Sequence, residues 1–225
     1  MSKEIFLRSY LEKVNQNYNK LEYYLNDRLV VLSPLNLIKD QIINCLMIEQ
    51  NIAAITISNH FLERMLKLAL IEKEIYGLKI RKDNNQLNLK LDKAYKKYDR
   101  LILSDSISEG YNRNLINEEE KKYLKDRIKD DIRNAYSHAE MEKVNKGKPE
   151  NMNMFQYNLN EVNEKLKNQE SLIHNEINVS TKVPSIQSDI QRDRCNKIAY
   201  PYFESLYQIA KNIDARLDIK KEFYK

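Results

Sequence analysis

The chain has 225 residues, with 38 lysines and arginines against 33 aspartates and glutamates, and its formal net charge is +5. Glycine occurs three times and proline four times, so few loops are expected. The alternating pattern of an all-β protein is mostly missing. We therefore predict an all-α helical bundle, built as one domain over residues 1–225. The mild basic charge permits an anionic partner such as RNA without demanding one, because it also serves solubility.

The sequence shows no pattern typical of a signal peptide, a membrane span or a zinc site. The N-terminus, Met1 to Glu4, carries an acid early and has no apolar run behind it, which does not fit a signal peptide. The most apolar segment, residues 42–71, is interrupted by charged and amide side chains and is too polar for a membrane span. Cys45 and Cys195 lie far apart and match no zinc spacing, which favours free thiols in a reducing cytoplasm. We expect a cytoplasmic protein without a metal, a cofactor or a membrane contact.

Two helical segments open the chain. Apolar residues at helical intervals predict a helix over residues 4–26. After a break at Pro34, residues 36–76 form the strongest helical pattern, and their wide apolar face predicts a position in the middle of the bundle. A helix of about 40 residues would span roughly 60 Å, so we expect a bend or a break within it.

The middle of the chain predicts two more helices. Residues 87–104 show a helical pattern, whereas residues 105–114, which contain Gly110, predict an irregular connection. Asn117 is predicted to cap the next helix. The acids Glu118 to Glu120 follow it in the first turn, where they suit the positive end of the helix dipole.

Residues 141–187 differ in composition and predict a partly irregular insertion. Alternation around Phe155 permits a short strand. The polar residues 160–177 favour a solvated helix or a mobile segment. The helical pattern returns over residues 186–218, and Pro201 is expected to kink or divide that segment.

The most informative stretch runs from Arg133 to His138. Arg133 is a permanent cation whose planar fork of donors fits phosphate. His138 is one of three histidines in the chain and can give or take a proton near neutral pH. Together they form a minimal set for breaking a phosphodiester without a metal. A short motif also arises by chance, so a purely structural role stays open. We expect His60 to be packed or hydrogen-bonded on its helix and His174 to be exposed.

A helical chain with this motif at the end of a late helix resembles the HEPN superfamily (higher eukaryotes and prokaryotes nucleotide-binding). Arg133, Asn134 and His138 match the family signature of an arginine, four to six residues and a histidine. The run from Ser58 to Lys67 is similar to the family's early core helix. The resemblance covers residues 36–215, with residues 141–187 as the variable insertion.

The resemblance implies a metal-independent endoribonuclease, such as a toxin or a phage-defence effector. It implies that Arg133 binds the phosphate, that His138 acts as acid or base and that Asn134 orients one of them. Glu63 would support Arg133 from across the cleft, although an ordinary salt-bridged or solvent-facing carboxylate is an equal alternative. Toxins that pair with a nucleotidyltransferase antitoxin often carry a tyrosine where this chain has Glu140, which puts that partnership in doubt. The expected partners are RNA and a second copy of the chain, with an antitoxin or regulatory protein as a further candidate.

One geometric difficulty concerns the two motif residues. Five residues along a straight α-helix rotate a side chain by about 140°, so Arg133 and His138 cannot share a face unless the helix loosens. Two copies of the chain could instead pool their residues, and we expect a two-fold homodimer with a composite site, partly by analogy. Two alternatives stay open. One is a non-catalytic dimeric module of the same fold that binds nucleotide, RNA or a protein, and the other is an unrelated bundle with a chance motif.

Overall fold

The computed structural model of the chain describes residues 2–75, 85–133, 149–156 and 175–218. Most of these residues are helical, which confirms the predicted all-α class. The α-helices are α1 (Lys3–Asn26), α2 (Asn36–Met47), α3 (Asn51–Ile75), α4 (Asn85–Tyr98), α5 (Leu103–Asn112), α6 (Glu118–Lys122) and α7 (Pro184–Asp218). A 3₁₀ turn (Ser33–Leu35) precedes α2, and a π-helix (Tyr123–Arg133) directly continues α6. Strands β1 (Asn151–Gln156) and β2 (Asn175–Ser180) pair antiparallel, with Asn151 opposite Ser180.

Helix α3 lies at the centre of the bundle and packs against α2, α4, α5 and α7. Its buried side chains point in most directions around the helix: they are Ala54, Ile55, Ser58, Asn59, Phe61, Leu62, Met65, Leu66, Leu68, Ala69, Leu70 and Ile71. A helix that is apolar over so much of its circumference is stable only when other helices surround it. The central position predicted for this segment is therefore confirmed.

The break expected within residues 36–76 lies between α2 and α3. Glu49 has a positive φ of 62°, and the Gln50 amide donates a hydrogen bond of 2.7 Å to the Cys45 carbonyl oxygen. This closure over five residues is typical of a helix that ends on a left-handed residue. The reversal allows α2 to fold back against α3.

The irregular connection predicted over residues 105–114 is wrong, because most of it forms α5. The predicted helix before it also ends earlier, at Tyr98. Leu103, Ile107 and Gly110 of α5 are buried at helical intervals, and α5 packs against α3. This packing outweighs the low helix propensity of glycine.

The predicted cap at Asn117 is confirmed and anchors α6. The Asn117 side chain accepts a hydrogen bond from the Glu120 amide, and the Glu120 carboxylate accepts one from the Asn117 amide, each at 2.8 Å. The same carboxylate accepts hydrogen bonds from Arg216 at 2.6 Å and from Asn212 at 2.8 Å. The capping box and these bonds therefore tie the start of α6, which the π-helix continues, to α7.

The insertion contains more strand than the sequence predicts. Strand β1 includes Phe155, but β2 occupies residues 175–180, so the helix or mobile segment expected up to residue 177 is wrong at its end. Helix α7 starts at Pro184 and runs through Pro201 without being divided. No helix in the described ranges is long and apolar enough to cross a membrane.

Candidate functional site

Arg133 and Glu63 form an ion pair between the π-helix and α3. The Arg133 Nη2 donates to Glu63 Oε1 at 2.8 Å, across 70 residues of sequence. The Arg133 side chain is 25% exposed and the Glu63 side chain is 35% exposed. The pair is therefore half-buried, and solvent reaches part of both side chains. The structure brings these two predicted site residues together, whereas Asn134 and His138 lie outside the described residues.

The π-helix fixes where Arg133 lies. Leu124, Ile128 and Ile132 recur every four residues and are buried. They pin one side of the helix to the core, and Arg133 follows the last of them. Its aliphatic stem can therefore pack near the core while the guanidinium reaches the edge.

Glu63 is fixed by its neighbours on α3. Phe61, Leu62, Met65 and Leu66 are all buried, so the rotation of this helix about its axis is set by core packing. Glu63 lies between these positions on the rim of the buried face. A carboxylate at such a place is stable because it has a charged partner.

A buried hydrogen bond lies behind the ion pair. Tyr202 of α7 is 1% exposed, and its hydroxyl donates to Asn59 Oδ1 at 2.7 Å. Asn59 precedes Glu63 by one turn of α3. Burial raises the pKa of Tyr202, and the nearby Tyr123 and Glu63 raise it further, while Arg133 opposes them. The Tyr202 hydroxyl therefore stays protonated, and its hydrogen bond to Asn59 joins α7 to α3 behind the ion pair.

The sequence interpretation missed Tyr202 and Asn59. The one available signal was a polar group at an otherwise apolar helical position. A tyrosine on an apolar stripe is usually a core residue, so that signal is weak. Only the contact between α3 and α7 shows that the two side chains meet.

A π-helix leads up to the motif. Its hydrogen bonds join residues five apart, so residues five apart lie nearly above one another rather than about 140° apart as in an α-helix. This register extends over 11 residues and ends at Arg133. Most π-helices are single turns, often at functional sites. The objection concerns the spacing from Arg133 to His138, and because residues 134–138 lie outside the described residues it stays open.

His60, expected to be packed or hydrogen-bonded on its helix, is exposed on α3, so the first of these alternatives is wrong. It precedes Glu63 by three residues, and side chains at this spacing are neighbours on a helix surface. The imidazole of His60 therefore lies on the same side of α3 as Glu63. His174 lies outside the described residues.

An open cavity of 530 Å³ between α6 and α7 is a poor alternative site for a phosphate. Its lining includes Glu119, Glu120 and Glu204. Carboxylates of this number repel phosphate unless they are neutralised, and only Glu120 has an arginine partner among the described contacts. The ion pair of Arg133 and Glu63 is the better candidate for phosphate chemistry.

Comparisons of the chain with protein-family models, with curated proteins and with solved structures each gave no match. The HEPN resemblance therefore rests on the residues named above. What it implies for activity and partners is a proposal.

Proposed function

We propose that the protein is a metal-independent endoribonuclease of the HEPN type, in which Arg133 and His138 carry the chemistry. The observation that supports it best is the position of Arg133. Arg133 is the last described residue of the π-helix, its Nη2 is held by Glu63 at 2.8 Å, and its side chain is 25% exposed although Nε is buried. An arginine that is both oriented and accessible can bind a phosphate and stabilise additional charge on it.

The reaction uses a nucleophile that RNA itself supplies. The 2′-hydroxyl attacks the adjacent phosphorus while a base removes its proton, and the bond from phosphorus to the 5′-oxygen breaks as an acid protonates that oxygen. His138 serves one of these two proton transfers, and Asn134 orients the phosphate or the imidazole. Arg133 stabilises the charge that develops on the phosphate oxygens. The products are a 2′,3′-cyclic phosphate and a 5′-hydroxyl.

Glu63 is a positioning residue in this scheme. It restricts the guanidinium to one orientation before substrate arrives, which lowers the entropy lost in the transition state. It also neutralises much of the long-range field of Arg133. Attraction of a distant RNA strand must then come from other cations of the chain.

The first test is cleavage of mixed RNA by the purified protein in EDTA. Arg133→Ala and His138→Ala are expected to abolish cleavage. Arg8→Ala removes an exposed arginine of α1 that pairs with Glu12 and is the matched control, so it is expected to leave cleavage unchanged. The variant His60→Ala tests whether cleavage needs the imidazole of His60 rather than that of His138. Loss of cleavage in His60→Ala with full activity in His138→Ala would refute the assignment.

The second test addresses the composite site. We propose a two-fold dimer in which Arg133 of one subunit works with His138 of the other. Mixing Arg133→Ala with His138→Ala chains then recreates one intact site in each mixed dimer, and about a quarter of the wild-type activity returns. No recovery, together with light scattering that shows a monomer, contradicts the composite site.

A non-catalytic binding module is the alternative outcome of the first test. It predicts that the protein binds RNA, nucleotide or a protein partner but that wild type cleaves nothing. The roles as a toxin or a phage-defence effector, and any antitoxin or regulatory partner, depend on the catalytic outcome.

A further inference from the structure

The net charge of the chain is concentrated in one stretch. Residues 76–100 contain eight lysines and arginines and three aspartates, which gives a charge of +5. This equals the formal net charge of the whole chain, so the other 200 residues are balanced. A local excess of this kind acts on a partner through the field at one surface rather than through general solubility.

The described part of this stretch is α4 and the turn that follows it. Lys90, Lys93 and Lys97 are three and four residues apart, so they form one row along about 10 Å of the helix. All three side chains are exposed, as is Arg100 in the turn. We call Lys90, Lys93, Lys96, Lys97 and Arg100 the α4 basic surface.

The repulsion within this row is relieved only at Lys97, whose pKa is raised by a hydrogen bond with Tyr98 and by the charge of Glu74. Like charges three or four residues apart destabilise a helix, and a glutamate at any of these positions would be more favourable. None of Lys90, Lys93 and Lys97 forms a salt bridge with another described residue. Lys97 does lie 4.9 Å from the centre of the Tyr98 ring. A row of exposed cations in which no member forms a close salt bridge with a described residue is suited to an anion from outside.

One end of the surface adjoins the candidate site. Arg64 Nη1 lies 3.8 Å from the Asp99 carboxylate, and Lys67 Nζ donates to the Asp99 carbonyl oxygen at 2.6 Å. Asp99 directly follows α4, and Arg64 directly follows Glu63 on α3. The end of the row is therefore next to the helical turn that carries the partner of Arg133.

We propose that the α4 basic surface binds the phosphate backbone of a single-stranded nucleic acid and directs it toward the ion pair of Arg133 and Glu63. The direction toward that ion pair rests on the proposed function, whereas the binding surface does not. A lipid surface fits less well. A helix that lies on a membrane needs a continuous apolar face for the lipid, and the apolar face of α4, with Ala94 and Tyr98 buried, packs against α3.

The test is the salt dependence of binding to a strand that cannot be cleaved. A labelled 12-nucleotide 2′-O-methyl oligonucleotide is titrated with the full-length protein at 50 and 200 mM salt, and binding is followed by fluorescence anisotropy. Four phosphate contacts give a slope of about −2.8 in a plot of log K against log salt, which weakens binding roughly 50-fold over this range. Lys93→Glu/Lys97→Glu is expected to weaken binding at least about tenfold at 50 mM and to flatten the slope by about 1.4.

The matched control makes the same change in net charge at two lysines outside the α4 basic surface. Lys3→Glu/Lys182→Glu replaces two exposed lysines on α1 and in the turn after β2, and binding is expected to stay within about twofold of wild type because phosphate contacts act locally. Equal losses in the two variants, or no loss in the α4 variant, would overturn the proposal. So would binding of phosphatidylserine vesicles in place of the oligonucleotide. Circular dichroism confirms that both variants are folded.

The binding assay and the cleavage assay test the two proposals separately. If the α4 variant loses binding while wild type cleaves no RNA, the binding surface stands and the proposed nuclease falls. If wild type cleaves RNA and the α4 variant binds normally, the nuclease stands and the binding surface falls.

Discussion

Replacing Glu63 with glutamine removes the charge that orients Arg133 while keeping the shape of the side chain. The two side chains are 35% and 25% exposed and meet at 2.8 Å. Fully exposed pairs contribute between zero and about 1 kcal/mol, and hydrogen bonds to charged groups contribute about 1.5–3 kcal/mol. A half-exposed pair should therefore stabilise the protein by about 1 kcal/mol. For a chain of this size that corresponds to a decrease in Tm of about 2–4 °C.

A double-mutant cycle measures this contribution directly. Glu63→Gln, Arg133→Ala and the double variant are unfolded in urea, and the coupling energy is expected to be about 1 kcal/mol. The matched pair is Glu12 with Arg8 on α1, whose side chains are 57% and 83% exposed. Its coupling is expected to be close to zero, because exposed pairs are screened and mobile.

The same variants separate positioning from simple stabilisation. If Glu63 acts through Arg133, Glu63→Gln slows RNA cleavage about tenfold, equivalent to about 1.4 kcal/mol of transition-state stabilisation. The double variant is then no slower than Arg133→Ala alone. If the losses of stability and of cleavage rate in the double variant equal the sums of those in the two single variants, the reasoning is refuted. Faster cleavage by Glu63→Gln would show instead that Glu63 competes with the phosphate for Arg133.

Two further predictions concern the fold. Glu49→Gly relieves the left-handed conformation at φ 62°, and thermal unfolding should show a Tm about 2–4 °C higher, since that conformation costs about 1 kcal/mol for a side chain with Cβ; an unchanged or lower Tm contradicts this. Burial would raise the pKa of Glu120, but hydrogen bonds from Arg216, Asn117 and Asn212 outweigh it and lower the pKa. Because the folded-state pKa is lowered, the stability that Glu120 adds is complete above the ordinary glutamate pKa of about 4.3 and is lost as the pH falls through the lowered value. Urea unfolding should show Glu120→Gln less stable than wild type at pH 7, with a difference that shrinks as the pH falls below about 4.3, and a difference that stays constant as the pH falls would contradict the account.

The parts of the fold that the sequence predicts well depend on strong local patterns. The wide apolar face of residues 36–76 identifies the central helix, and its excessive length predicts the break between α2 and α3. The acids after Asn117 identify a capped helix start. In each case a local pattern and the tertiary structure favour the same result.

The failures occur where tertiary packing decides. Gly110 and its polar neighbours favour an irregular segment, and only burial against α3 makes α5 a helix. The π-helical register also depends on packing, because Leu124, Ile128 and Ile132 would fit an α-helix equally well at that spacing. Of the two outcomes expected at Pro201, a kink or a division, the division is wrong, because Pro201 lies inside the single helix α7.

In the candidate site too, residues on a local sequence pattern were predicted and residues joined only by tertiary contacts were not. Arg133 and Glu63 were both predicted as site residues, one from a short motif and one from its place on the early core helix. Their contact was a hypothesis until the structure placed them 2.8 Å apart. Tyr202 and Asn59 were missed because they are distant in sequence and match no motif.

The central claim is that Arg133 and His138 together transfer the phosphate of RNA from a 5′-oxygen to a 2′-oxygen without a metal. The most direct measurement is the analysis of ends after random-sequence RNA and its 2′-O-methyl counterpart are incubated with the protein in EDTA. The account predicts 2′,3′-cyclic phosphate and 5′-hydroxyl ends from the RNA alone, and none with Arg133→Ala or His138→Ala. Intact RNA with wild type, cleavage of the 2′-O-methyl strand, or the same ends with Arg133→Ala would contradict it.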